Sequence, residues 1–309
     1  MNLVGRMPVL KRMLTAIPPS AKPHSYTLPG TLHLVSTPIG CVDDLSKRAL
    51  SVLKGVSLIL AEDTRTTGLM LNRVGVSNKL ESLNQENERS KVPAVLSYLK
   101  EGKSVALVSD AGTPVVSDPG SILVKSCIDH AIPVTPIPGP SAAIAALVCS
   151  GFYTTPFQFV GFIKRSGSER KTQLESIAAS PNTVILYESS HRIVDTIREL
   201  AAVLGGSRRI CICREMTKLH ETIRYMDLSE AAEFITTGVQ KGEFTLVLEG
   251  LREFNERMEV PSESSAVSEG VLRCIREMKK EGIDREVIMR VMEASFHLKR
   301  SEVKKELYR

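Results

Sequence analysis

The chain has 309 residues, a net charge of +5, and 42% hydrophobic against 24% charged residues, the balance of a globular protein long enough for two domains. No apolar run is long enough to span a bilayer. The six cysteines form no CxxC pair and no metal-ligand spacing with histidine, which argues against a zinc site or disulfide framework and for reduced thiols in a reducing compartment.

Residues 1–30 carry Arg6, Lys11, Arg12 and Lys22 and no acid. That composition suits an organellar presequence, and equally a basic arm or residues ahead of a later start at Met7. The expected location is the cytoplasm, with a mitochondrial or plastid matrix as the alternative if residues 1–30 are a presequence. Leu32 to Thr37 reads as a buried strand, and Pro38-Ile39-Gly40 as a tight turn. Asp43 or Asp44 is the expected cap of a helix carrying Leu45, Leu50 and Leu53. Val56 to Leu60 reads as a second strand, ending in Ala61-Glu62-Asp63-Thr64-Arg65. Capping the next helix needs only one or two acids, so this charged group is a candidate for chemistry as well as for helix initiation. A polar loop at Leu83–Glu88 precedes a helix with Val92, Val95, Leu96 and Leu99.

Ser104 to Val108 is a third buried strand, and it feeds the stretch around which the chain is organised, Val108 to Gly120. Gly112 permits close backbone approach, and Ser109, Asp110 and Thr113 supply short polar groups. A helix with Ile122, Leu123 and Ile128 follows, then a strand at Ile132–Ile137, then Pro138-Gly139-Pro140-Ser141 and an Ala-rich helix over 142–148. Small residues there let a ligand lie near free N–H groups, or let the helix pack closely on a sheet. This alternation implies a parallel α/β sheet whose loops after strands share one edge and form a ligand cleft.

Phe152–Phe157 marks a domain junction. Strands are expected at Phe157–Phe162, Val184–Tyr187, Ile210–Cys213 and Phe244–Leu248, with a helix through Ile193, Ile197 and Leu200. Charged groups cluster after these strands. Residues Glu253–Glu269 read as a linker. Two helices follow, one lined by Val271, Leu272, Ile275 and Met278, the other by Ile283, Val287, Ile288, Val291 and Met292, with Gly282 between them and Asp284 as a cap. With Lys299, Arg300, Lys304 and Lys305 they form either a nucleic-acid-contacting pair or a solvated basic face.

No P-loop and no GxGxxG motif occurs. Instead an ordered series runs along the chain: Ser36–Gly40, Ala61–Arg65, Ser109–Gly120, Pro138–Ala142, Phe159–Ile163, Tyr187–Ile193, Arg214–Glu221 and Lys241–Glu243. Over residues 31 to 309 this series resembles the tetrapyrrole methylase superfamily, and within it the branch that methylates ribose 2′-hydroxyls of small-subunit ribosomal RNA. The resemblance implies an α/β protein made of two α/β domains with a cofactor cleft between them, 31–151 and 152–252, and a small helical, basic segment at 260–309. It implies S-adenosylmethionine as cofactor and methyl transfer to a cytidine ribose. The implied partners are small-subunit ribosomal RNA or the assembled subunit, with no membrane, and a second copy of the chain in a homodimer. Carried over by position, Pro38, Asp110, Ala111, Gly112, Thr113, Ser141 and Ala142 would surround the cofactor from the first domain, and Tyr187, Met216, Phe244 and Leu246 from the second. Glu62, Asp63 and Arg65 would lie near the methyl group and the RNA. Lys164, Arg165, Arg170 and Lys171, with the carboxy-terminal basic residues, would supply an RNA-facing surface. Cys41, Gln85 and Ser190 stand where the family usually has Asn, His and Pro, which bears on the geometry of the first turn and the polar loop. A precorrin-type methylase, a diphthine synthase and a non-catalytic RNA-binding assembly factor are the competing readings. The low aromatic content, 5% with no tryptophan, argues against a base-stacking RNA platform.

Overall fold

The structure, a computed structural model, describes residues 26–238, 240–259, 269–296, 303, 304 and 307. The basic extension lies outside these residues except for its end at Tyr26–Gly30, as does most of the tail beyond Phe296. The described chain falls into two compact units, one ending at Glu253 and one beginning at Phe254.

The first unit opens with a parallel sheet. In chain order its elements are β1 (Leu32–Val35), α1 (Lys47–Gly55), β2 (Leu58–Ala61), α2 (Thr64–Arg73), β3 (Leu80–Ser82), α3 (Glu88–Lys100), β4 (Val105–Val108), α4 (Ser121–Asp129), β5 (Val134–Ile137) and α5 (Ala142–Cys149). The strand order is β3-β2-β4-β1-β5, with Leu32 opposite both Val105 and Val134. The central strands β2, β4 and β1 are apolar at every position but His33 of β1, because helices cover both faces. Leu32, Leu60 and Leu107 point to the side carrying Val95, Leu96, Leu99 and Leu123 of α3 and α4. Val35, Ile59, Ala61 and Val108 point to the side carrying Ala49, Val52, Leu53 and Leu71 of α1 and α2. Burying one such aliphatic side chain is worth about 1.5–3 kcal/mol.

The second sheet contains β6 (Phe157–Phe162), β7 (Thr183–Ser189), β8 (Arg209–Arg214), β9 (Thr222–Asp227) and β10 (Glu243–Leu248), in the order β6-β7-β10-β8-β9. Only the β6–β7 pair is parallel. Helices α6 (Gly167–Ala179), α7 (Ile193–Leu204) and α8 (Leu228–Thr237) cover one face through Leu174, Ile197, Leu200 and Ile235. The opposite face, with Ile185, Cys211, Cys213 and Val247, receives Ala143, Ala146 and Leu147 of α5. The small residues of α5 therefore do serve tight packing, and they join the two sheets.

Three local expectations change. Asp43 and Asp44 do not cap the first helix: they sit in a 3-10 turn, and the Ser46 hydroxyl accepts the Ala49 N–H at 3.0 Å to cap α1. Residues 253–259 of the expected linker are helical, within α9 (Leu251–Glu259), because that helix combines strong helix formers with apolar residues at helical spacing. Arg170, expected on an RNA-facing surface, is buried. In the second unit α10 (Glu269–Lys280) and α11 (Arg285–Phe296) share a core of Ile275, Ile288, Met289 and Met292. Gly282 turns between them with φ +73°, and Asp284 accepts the Glu286 N–H at 2.9 Å.

Candidate active site

The loop after β4 is anchored to the turn after β1. The Thr37 N–H donates to the Gly112 carbonyl at 2.8 Å, and the Gly112 N–H donates back to Thr37 at 3.1 Å. The Thr37 hydroxyl donates to the Ser109 carbonyl, and the Thr113 hydroxyl to the Pro140 carbonyl at 3.1 Å. Gly112 holds φ +86°, a left-handed conformation open to glycine at little cost. Further along the loop Val115 and Ser117 take φ +75° and +68° without being glycine, local strain of the kind kept at functional sites. A Cβ on Gly161, at the bulge in β6, would lie 2.9 Å from the Ser117 hydroxyl oxygen. A Cβ on Gly40 would lie 2.7 Å from the Thr217 hydroxyl oxygen, which accepts the Cys41 N–H at 3.0 Å. Loops of the first half thus meet strands and loops of the second at bare backbone.

These contacts enclose a cavity of about 370 Å3 between the two sheets. Asp110, Ala111, Gly112, Thr113, Ser141, Ala142, Tyr187 and Phe244 line it, as eight of the eleven residues expected around a cofactor. Pro38 is buried outside the lining, and its neighbour Ile39 reaches the cavity. Met216 packs beside the cavity against α5 and Tyr187. Leu246 does not reach it: it lies further along β10 in the core beneath α7 and α8, and Phe244 and Thr245, nearer the start of the strand, line the wall. Val116, Ser117, Asp118, Phe162, Glu188, Ser189 and Glu243 also line it. Phe162, Glu188 and Ser189 stand at the carboxyl ends of β6 and β7, Glu243 opens β10, and the other three lie in the strained loop itself.

Tyr187 ties the two halves together. Its hydroxyl accepts the Ala143 N–H at 3.2 Å, satisfying a free amide of the first turn of α5. Burial raises its pKa, so it stays a neutral phenol. Phe159 and Phe162 meet its ring edge-on at 5.0 and 5.7 Å. Glu188 is fully enclosed and accepts the Thr196 hydroxyl at 2.6 Å and the Ser189 N–H at 2.7 Å.

Carboxylates gather at the loop ends. The Asp63 N–H donates to Asp110 at 3.1 Å, which puts the Glu62–Arg65 group beside the cavity rather than in its lining. Asp63 caps α2 by accepting the Arg65 N–H at 2.8 Å, and its carboxylate grips the Arg65 guanidinium at 3.1 and 2.6 Å. Those bonds hold its pKa down to about 2. Glu62 has no such partner: burial, then Asp110 and Asp63, raise its pKa. Asp118, in the cavity wall, is pushed up to about 6 by burial, then by Glu62. Asp63 is thus committed to capping and to Arg65, while Glu62, Asp110 and Asp118 have their carboxyl pKa values raised, Asp118 most, to about 6. Among the described residues no cluster of side chains could hold a metal ion.

A two-sheet α/β body with a cavity between strand-end loops, acidic at one side, is a frame that binds a small ligand where strand ends converge. The family model for tetrapyrrole (corrin/porphyrin) methylases matches residues 31–232. Ribosomal RNA small subunit methyltransferase I of Escherichia coli O157:H7 is 44% identical over 72% of this chain and 78% of its own length. The protein of the same name from Synechocystis is 38% identical over 89% of this chain and 96% of its own. The uroporphyrin-III C-methyltransferase of Thermus thermophilus shares the fold, with a TM-score of 0.53 at 16% identity over 75% of this chain and 100% of its own. Another structure of that enzyme, complexed with S-adenosyl homocysteine, gives 0.51 at 20% identity over 70% and 96%. The chain belongs to the tetrapyrrole methylase family, in its ribosomal RNA small subunit methyltransferase I branch.

Proposed function

We propose that this protein methylates the 2′-hydroxyl of a cytidine ribose in small-subunit ribosomal RNA. The observation that carries the reading is the likeness to ribosomal RNA small subunit methyltransferase I, at 38–44% identity over most of the chain. The cofactor is S-adenosylmethionine, whose sulfonium supplies an activated methyl group. Gly112 and its neighbours, Ser141, Ala142 and Tyr187 would hold it in the cavity, and the fit is supported by the uncrowded glycine loop and by the acidic residues, which complement a positive charge.

The protein's own contribution is positioning, because in-line transfer needs the ribose oxygen held against the donor carbon. The loop Asp110–Thr113 is fixed by the Thr37 bridge before any ligand enters. Tyr187 fixes the start of α5. A ribose hydroxyl is a weak nucleophile, and a carboxylate of raised pKa suits it as proton acceptor; Glu62 fills that role, while Asp63 holds Arg65 toward the RNA side. A homodimer belongs to the same reading. Exposed Ile144 and Val148 on α5 support it, next to Tyr225 of edge strand β9, whose hydroxyl donates to the Cys149 carbonyl. Sedimentation should give twice the chain mass. The cytoplasm, or an organelle matrix if residues 1–30 are removed on import, is the proposed compartment.

The test is incubation with methyl-labelled S-adenosylmethionine and either naked small-subunit RNA or assembled small subunits. Label entering the RNA supports the reading and identifies the true substrate. Label entering neither, with cofactor bound, sinks it.

A further inference from the structure

A second cavity, of about 440 Å3, abuts the first and shares Phe162 and Ser189 with it. Its remaining lining is Ile163, Lys164, Arg165 and Arg192. We propose that this pocket seats a backbone phosphate of the RNA strand beside the nucleotide being methylated, with Arg165 as its principal ligand; the proposal rests on the ribosomal RNA reading above.

The turn after β6 is unusually well held. The Lys164 carbonyl accepts from Arg170 Nη1 at 2.7 Å and from Arg192 Nη2 at 3.3 Å, and the Ile163 carbonyl accepts from Arg192 Nη2 at 2.6 Å. The Lys164 N–H donates to Gln173 at 2.8 Å. Two arginines are thus spent on the backbone of the four-residue turn 163–166. Both are also neutralised from behind, Arg170 by Glu199 and Arg192 by the enclosed Glu188. The cations of the turn itself are treated differently. Arg165 is exposed and makes no hydrogen bond or ion pair among the described residues. Lys164 has only a loose pair with Glu169, at 3.6 Å between exposed side chains. Arg192 makes its bonds through Nη2 and leaves Nε and Nη1 unused among the described residues.

The result is a rigid platform with unspent guanidinium donors facing an open pocket. Its one exposed aromatic, Phe162, stands between this pocket and the cofactor cavity. A guanidinium fork matches a phosphate through two parallel hydrogen bonds. Phosphate contacts of this kind fix the register of a nucleic acid without reading its bases. A strand held here would lie alongside the cofactor cavity, and its phosphate would set which nucleotide reaches that cavity.

The experiment compares wild type, Arg165→Ala, Arg165→Lys and, as a charge control, Lys125→Ala, whose exposed side chain lies 3.0 Å from Asp129. Each is titrated with S-adenosylhomocysteine, and its affinity for small-subunit ribosomal RNA is measured across a salt series. Arg165→Ala should bind S-adenosylhomocysteine like the wild type and lose about tenfold in RNA affinity. Its slope of log affinity against log salt should flatten by about 0.7 to 0.9. Arg165→Lys should recover part of the loss, and Lys125→Ala should stay near wild type. In an RNA fragment carrying single neutral methylphosphonates, one position should weaken the wild type about tenfold and leave Arg165→Ala unchanged. Wild-type affinity and slope in Arg165→Ala, an equal loss in Lys125→Ala, or no such methylphosphonate position would each overturn the subsite while leaving the methyltransferase reading standing. A wild-type protein that neither binds nor methylates the RNA overturns that reading, and the subsite with it.

Discussion

Asp118 gives the sharpest quantitative test of the site. Its carboxyl lines the cavity and titrates near 6 in the folded protein instead of 3.8, because burial and then Glu62 disfavour its charge, with the Ser109 hydroxyl offsetting a part. At about 1.4 kcal/mol per pH unit the difference is worth at most about 3 kcal/mol. Partial exposure and solvent screening reduce the expected value to about 1–2 kcal/mol. Between pH 3.8 and 6 the folded state holds the proton more tightly than the unfolded chain, so this group's contribution to stability is present at low pH and is lost as pH rises through about 6. Asp118→Asn removes the charged form. In thermal unfolding of the cofactor-free protein the variant should gain about 2–6 °C over the wild type at pH 8. The gain should shrink toward zero near pH 4. The same charge faces the cavity that a sulfonium would enter, so the variant should lose more affinity for S-adenosylmethionine than for the neutral-sulfur S-adenosylhomocysteine. An equal Tm difference at both pH values, or a variant less stable at pH 8, would refute the electrostatic reasoning.

Glu62→Gln should fold, bind cofactor and slow single-turnover methylation by roughly 10²-fold, whereas Asp63→Asn should mainly weaken the cap and release Arg65; near wild-type rates for both variants would remove carboxylates from the chemistry. Gly112→Val should fold but lose cofactor binding. A Cβ there has room, 3.5 Å from Ile39, so the loss would come from forcing a β-branched residue to φ +86°, and unchanged affinity in a folded variant contradicts it. His33 is buried on β1 with both ring nitrogens unpartnered among the described residues; burial and then Arg48 lower its pKa. Its neutral form is the stable one, so it contributes stability at neutral pH that is lost as pH falls below about 6.5. His33→Leu should flatten that part of the Tm–pH profile, and an unchanged profile would show that His33 does not titrate on unfolding.

The first sheet was legible because strands covered on both faces are short apolar runs, as β2 and β4 are throughout and β1 is apart from His33, while edge strand β5, Val-Thr-Pro-Ile, showed through its place in the strand–helix alternation. β3 was not: Leu80–Ser82 is three half-buried residues at an edge. In the second half, α6 lacks an apolar stripe, and β9 is an edge strand with Arg224 and Tyr225 exposed, so neither carries a strong periodic signal. The site was legible through its loops, where Gly112, Thr113, Ser141 and Tyr187 stand in recognisable motifs. What sequence could not assign was which residues along a strand reach the cavity. Leu246 was expected at the cofactor and lies in the core, while Thr245 lines the cavity. Nor does charge reveal its own use: Arg170 and Arg165 sit in one basic stretch, yet one is buried and bonded and the other is exposed and unpaired among the described residues.

The central claim is methyl transfer to one ribose of small-subunit ribosomal RNA. Its most direct test is to treat unmethylated small subunits with the protein and S-adenosylmethionine, digest the RNA to nucleosides and fragments, and identify the product by mass spectrometry. The account predicts 2′-O-methylcytidine at a single position, absent when the Glu62→Gln variant is used for one short turnover. Methylation on a base, spread over many riboses, or missing from the RNA altogether would contradict it.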